Sequence, residues 1–233
     1  MKQRATAIIL ALFFCLQAIP AQQNELTSIS FTVYGLRPGN YSNIYFQGAS
    51  DKPTALTFHR KRRSGTYTAQ VPVEALTLKF LQKGSHREEH EEGVLVELGS
   101  VPLPPDADKI LFVFVPQTDS GAKNPFKILS IEDGGSSGQS GTVRIINLTA
   151  LPLIGMAEGE KFELQSLSCS QPFELSRNSQ TDLSILAKGS SRHHLVYRNS
   201  FRIDPESRAI LFLTPPYRKA SLKLGGHMLY EEL

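Results

Sequence analysis

The chain has 233 residues, 40% of them hydrophobic and 20% charged, with 17 glycines and 14 prolines. That is enough apolar sequence to bury a core and too little charge for a disordered chain. Of the formal charge of +3, Lys2 and Arg4 account for two, leaving 23 basic against 22 acidic residues, so composition argues against a nucleic-acid partner.

The first segment reads as an address. Lys2 and Arg4 form a short positive region, residues 5–16 are apolar apart from Thr6, and Ala18, Ile19, Pro20 and Ala21 offer small residues for cleavage. This is the layout of a secretory signal peptide over residues 1–21, which leaves no stable transmembrane span after cleavage. Removal of Cys15 leaves Cys169 as the single thiol, so no internal disulfide forms and the fold stands on packing.

Beyond Gln23 the pattern has period two. Ile29, Phe31 and Val33 alternate with Ser30, Thr32 and Tyr34. Residues 54–58 and 66–71 read as paired strands around His59, Arg60, Lys61, Arg62, Arg63, Ser64 and Gly65. Four cations at one turn either form a solvated hairpin tip or a finger for an anionic group, because guanidinium forks match carboxylate and phosphate oxygens. Tyr41, Tyr45 and Tyr67 lie nearby in sequence and serve equally as flat contacts or as strand residues.

Residues 75–81 alternate again. They are followed by His86, Arg87, Glu88, Glu89 and His90, which fit the H-x-x-E-H pattern of inverted zinc hydrolases, with His86 and His90 as ligands and Glu89 as general base. Gly84 and Gly93 bracket the motif and leave too little room for the long helix that such a site needs, so an exposed acidic loop is expected. This loop and the Arg60 to Arg63 turn carry opposite charges.

Val94 and Val96 alternate with Leu95, a very apolar strand around Ile110, Leu111 and Phe112 stops at Pro116, and a further strand alternates Ile128 and Ser130 with Leu129 and Ile131. Residues 133–141 then form the chain's one low-complexity Gly/Ser run. Its Gly134, Ser136 and Gly138 match G-x-S-x-G by composition only, since no helix follows to make a nucleophile elbow.

Residues 93–116 and 193–216 align without a gap, with 8 identities in 24 positions, among them Leu95 with Leu195, Pro105 with Pro205 and Phe112 with Phe212. A repeat of this length matches one sandwich domain. The expected organisation is therefore all-β: two tandem antiparallel immunoglobulin-like β-sandwich domains, residues 24–133 and 142–233, joined by a linker over residues 134–141. Asn147 sits in a glycosylation pattern but within an apolar strand, and His193 and His194 are strand neighbours that point to opposite faces.

Residues 143–152, opening Val143, Arg144, Ile145, Ile146, together with the later run Arg208, Ala209, Ile210, Leu211, Phe212, resemble the opening and central strands of small β-sandwich domains in secreted bacterial envelope proteins. The resemblance implies a fold and a secreted or periplasmic location, not an activity. The expected protein is non-enzymatic, with no cofactor and no catalytic set: an exported binding or structural accessory subunit. Its expected partner is another envelope or extracellular protein, or an anionic polymer or lipid headgroup met by Arg60, Lys61, Arg62 and Arg63. A metal hydrolase using His86, Glu89 and His90 is the rival.

Overall fold

A computed structural model describes residues 25–50, 52–84, 94–117, 124–135, 139–174, 180–189, 192–216, 218 and 221–232. The expected signal peptide at residues 1–21 and the motif His86, Glu89, His90 lie outside the described residues. The fold is all-β, as the period-two pattern predicts, and among the described residues no helix is long and apolar enough to cross a membrane.

Sixteen strands are described, in two sets of eight. The first set is β1 (Leu26–Gly35), β2 (Ile44–Gln47), β3 (Thr54–Ala55), β4 (Tyr67–Pro72), β5 (Thr77–Lys83), β6 (Leu95–Pro102), β7 (Lys109–Pro116) and β8 (Phe126–Glu132). The second is β9 (Thr142–Asn147), β10 (Leu153–Ala157), β11 (Glu160–Leu164), β12 (Phe173–Glu174), β13 (Thr181–Lys188), β14 (His193–Phe201), β15 (Ser207–Thr214) and β16 (Gly225–Glu232). The first half builds sheets in the orders β4-β1-β7-β8 and β3-β2-β5-β6. The second builds β12-β9-β15-β16 and β11-β10-β13-β14, repeating the first strand for strand.

The expectation of wholly antiparallel immunoglobulin-like sheets requires correction. The central pairs β1 with β7 and β9 with β15 are parallel, so one sheet in each half is mixed. The strand orders also differ from the ABED and CFG sheets of an immunoglobulin domain. The parallel pairs arise because the connection from the first strand crosses to the facing sheet, and the chain returns to its starting layer in the same direction three crossings later.

The four sheets stack as four layers with three apolar seams. In β1, Ile29, Phe31 and Val33 point to one side and meet Phe46, Phe80 and Phe112 in the core of the first half. Val143, Ile145, Leu183, Ile185 and Leu211 fill the core of the second. The third seam lies between the halves: Tyr34, Leu111 and Val113 pack on Ile146, Ile210 and Phe212, with the Tyr34 and Phe212 rings stacked at 5.4 Å. This explains why β7 and β15 are apolar without interruption. Each is buried on both faces, one in its own core and one against the other half.

The sequence repeat is therefore real in topology but shifted in phase. Ile110 and Phe112 face the first half's own core, whereas their aligned partners Ile210 and Phe212 face the seam between halves. The connection between β14 and β15, residues 202–206, is one residue shorter than that between β6 and β7, residues 103–108. A one-residue slip turns every side chain of a strand to the opposite face. It passes unnoticed in sequence because both faces are apolar.

Asn147 closes β9 as a structural residue. Its buried amide donates to the Leu151 and Gln165 carbonyls, both at 2.8 Å, and its Oδ1 accepts from the Thr149 backbone at 3.0 Å and the Thr149 hydroxyl at 2.7 Å. Replacing it by alanine strands several buried polar groups. We expect Asn147→Ala to cost about 3 kcal/mol in urea unfolding; a loss within experimental error would mean that the loop re-pairs its carbonyls with water.

Candidate functional site at the basic turn

The segment between β3 and β4 is not the tip of a hairpin. β3 pairs with β2 and β4 pairs with β1, so residues 56–66 cross from one sheet to the facing one. Leu56 and Phe58 are buried on the way, with the Phe58 ring 5.1 Å from both Tyr41 and Phe114. The paired-strand expectation fails because these apolar side chains anchor the segment to the core between the sheets rather than to a neighbouring strand.

The four cations occupy the outer bend of this crossing. His59 and Arg62 form an isolated antiparallel bridge, and Lys61 between them takes φ 61°, the left-handed conformation of a tight turn. Backbone bonds tie the bend to the end of β1: Lys61 N–H donates to the Gly35 carbonyl at 3.1 Å, and Ser64 N–H donates to that of Val33 at 2.9 Å. The Ser64 hydroxyl in turn accepts from Val33 N–H at 2.8 Å.

Arg60, Lys61 and Arg62 are exposed, whereas Arg63 turns inward. Its guanidinium donates to Thr32 Oγ1 at 2.9 Å and to Glu231 at 2.6 Å, and it pairs with Asp133. Arg208 pairs with the same two acids, at 2.8 Å to Glu231 and 3.1 Å to Asp133. Each half contributes one arginine and one carboxylate. The four side chains are between 8% and 16% exposed, so solvent screens them little. Register explains half of the square: Arg208 and Glu231 sit directly opposite on β15 and β16.

Beside the turn opens a cavity of about 540 Å³ whose walls include Tyr41, Asn43, Tyr45, Thr57, His59 and Arg60. The structure thus brings Tyr41 and Tyr45 to the same concavity as Arg60. Tyr41 donates to the Arg37 carbonyl at 2.5 Å, and burial pushes its hydroxyl up to about 12, so it stays a donor. Tyr67 is used internally, bonded to the backbone N–H and carbonyl of Thr57.

Other candidates stand apart from this turn. Cys169 joins Ile146 through an isolated bridge, and burial raises its thiol above the ordinary value while the Arg144 charge opposes the rise. His193 and His194 lie on the edge strand β14. Among the described residues no group of three His, Cys, Asp or Glu side chains could hold a metal ion.

No protein-family model and no curated protein matches this chain. The residues themselves carry the functional reading.

Sequence reasoning had no means to single out Arg63 from its three neighbours. It also missed Asp133, Arg208 and Glu231 as its partners. A weak signal existed at Arg208, a charged residue heading a strand that is apolar on both faces and thus in need of a buried counter-charge.

Proposed function

We propose that the protein is an exported, non-enzymatic binding or structural accessory protein of the bacterial cell envelope or extracellular space, built of two tandem β-sandwich domains behind a cleaved signal peptide. In this reading the turn carrying Arg60, Lys61 and Arg62 meets an anionic group on a partner protein, polymer or lipid. One observation carries it: Arg63 is used as an anchor to Asp133 and Glu231, leaving three exposed cations on a bend fixed to β1. A fixed bend loses little conformational freedom on binding, so its charges act together. The adjoining cavity with Tyr41 and Tyr45 gives the bound group a concave neighbour.

Heparin serves as a polyanion probe. Binding to the full mature chain should weaken steeply as salt rises, and the Arg60→Ser/Arg62→Ser variant should bind about tenfold more weakly at low salt with a shallower salt slope. Equal affinity and slope for variant and wild type, or no binding by either, would remove the anionic-partner reading.

A further inference from the structure

The seam between the halves ends beside the basic turn, at a histidine of β16 and two further basic residues, Arg37 and Lys127. His227, Leu229 and Glu231 share one face of β16 because they are two residues apart. Leu229 lies in the apolar seam and Glu231 bonds Arg63, so this face looks toward the first half. His227 is directly opposite Phe212, whose ring stacks on Tyr34 of β1. Tyr34 adjoins Gly35, which accepts from Lys61 N–H, and Arg37 follows two residues later. Arg63 thus meets β16 at Glu231, and the charges of Lys61 and Arg37 bear on His227 four residues earlier on the same strand.

A groove of about 210 Å³ opens at the same end, with Val115 and Leu148 on its walls and Arg37, Gln117, Lys127 and Thr214 as its polar members; Lys61 and His227 stand outside its walls, His227 within electrostatic reach of Arg37. Thr214 is 1% exposed, and its hydroxyl has no hydrogen-bond partner among the described residues. It lies on β15 one pleat beyond Phe212, diagonal to His227, on the same inter-half face. A buried hydroxyl without a partner is costly. An acceptor-rich ligand in the groove would satisfy it.

We infer that this end of the seam is a composite oxyanion site, in which Thr214 Oγ1 and Arg37 bind one sulfate- or phosphate-type group with Lys61, Lys127 and His227 around it. The inference rests on reading the basic turn as an anion-facing surface, and it adds residues of the second half to that surface. Both halves are then needed for binding.

The site has a built-in pH dependence. Burial first, then the Arg37 and Lys61 charges, hold His227 below its ordinary value of 6.5. The remaining charge on its own strand face is Glu231, four residues away and held by Arg63 and Arg208, and opposite on β15 stands Phe212. A bound anion offsets the two positive charges and favours the imidazolium. Binding therefore takes up a proton and tightens as pH falls below the ordinary histidine range.

The test follows the His227 ring by NMR in the full mature chain during titration with inorganic sulfate, which stays dianionic across the range, at constant ionic strength. A saturable shift of His227 and a rise in its midpoint are expected. Thr214→Val should weaken sulfate about fivefold, the factor given by one lost hydrogen bond of typical worth. The same variant should unfold at a higher urea concentration in sulfate-free buffer, since it removes an unpaired hydroxyl. Lys61→Gln, at an exposed position, should weaken sulfate without moving the urea midpoint. A linear shift without saturation, or unchanged affinity in Thr214→Val, would overturn the site. Heparin separates the two proposals: if heparin binds through Arg60 and Arg62 while His227 ignores sulfate, the composite site fails and the basic turn stands. Sulfate binding with a polymer-free His227 response, but no heparin binding, would assign the site to a free small anion.

Discussion

Asp133→Ala should lose about 3–5 kcal/mol of stability in urea unfolding, the loss typical when one partner of a buried ion pair is removed. Asp133 faces both Arg63 and Arg208, and its own N–H donates to the Lys109 carbonyl at 2.8 Å, which fixes it at the exit of β8. Its removal leaves two poorly solvated guanidinium groups sharing the single carboxylate of Glu231. The four-membered square is neutral; the truncated one is not. An exposed pair contributes about 0–1 kcal/mol, so a loss below that bound would show the square to be open to water. The partner experiment is Arg208→Met in the Asp133→Ala background. It restores neutrality with apolar volume and should recover much of the loss.

Phe212→Ala should cost about 3–5 kcal/mol, as truncations of fully buried aromatic residues do. Its ring is wholly buried, yet it belongs to neither half's own core: it fills the seam and stacks on Tyr34. The cavity left behind lies between two sheets that belong to different halves. Phe212→Ala should therefore loosen their docking, exposing Tyr34 and lowering protection of β7 and β15 amides together. Phe112→Ala, in the first half's own core, provides the contrast: it should lower stability comparably while leaving Tyr34 covered. If Phe212→Ala leaves Tyr34 buried and the urea midpoint unchanged, the seam contributes little to holding the halves together.

Much of the fold was legible in the sequence because strand physics is local. The alternation of Ile29, Phe31 and Val33 with polar neighbours placed β1 and its inward face correctly. The turn chemistry around Pro104, Pro105 and Asp106 marked the passage from β6 to β7, where Asp106 takes φ 61°. Pairing was less legible. A period-two pattern tells which face is apolar and says little about which strand lies alongside, so the parallel β1 and β7 pair and the crossing at residues 56–66 were both missed. The continuous apolar runs of β7 and β15 did contain the docking of the halves, since strands buried on both faces lose their alternation. Read as merely central strands, they gave no hint that the second covered face belonged to the other half.

The same limit applies to the site. Arg60, Lys61, Arg62 and Arg63 are indistinguishable by type, and only the three-dimensional position of Asp133 and Glu231 divides anchor from surface. The Gly/Ser run of residues 134–141 read as a flexible linker by composition. Its described ends are held: Gly141 N–H donates to the Ser207 carbonyl at 2.7 Å, and a side chain at Gly134 would meet the Asp108 carboxylate. Gly141 takes φ 71°, the left-handed region that favours glycine, so the run is shaped by turn geometry as well as by freedom.

As proposed, the anchored turn is the protein's contact surface for anionic groups. A backbone amide NMR map of residues 22–233, titrated with a short heparin oligosaccharide, reads that surface residue by residue. Shifts should concentrate at residues 59–63 and the adjoining Gly35, Arg37, Tyr41 and Tyr45, and added salt should suppress them. Shifts centred instead on the outer face of β10, β13 and β14, or none at all, would contradict the proposal.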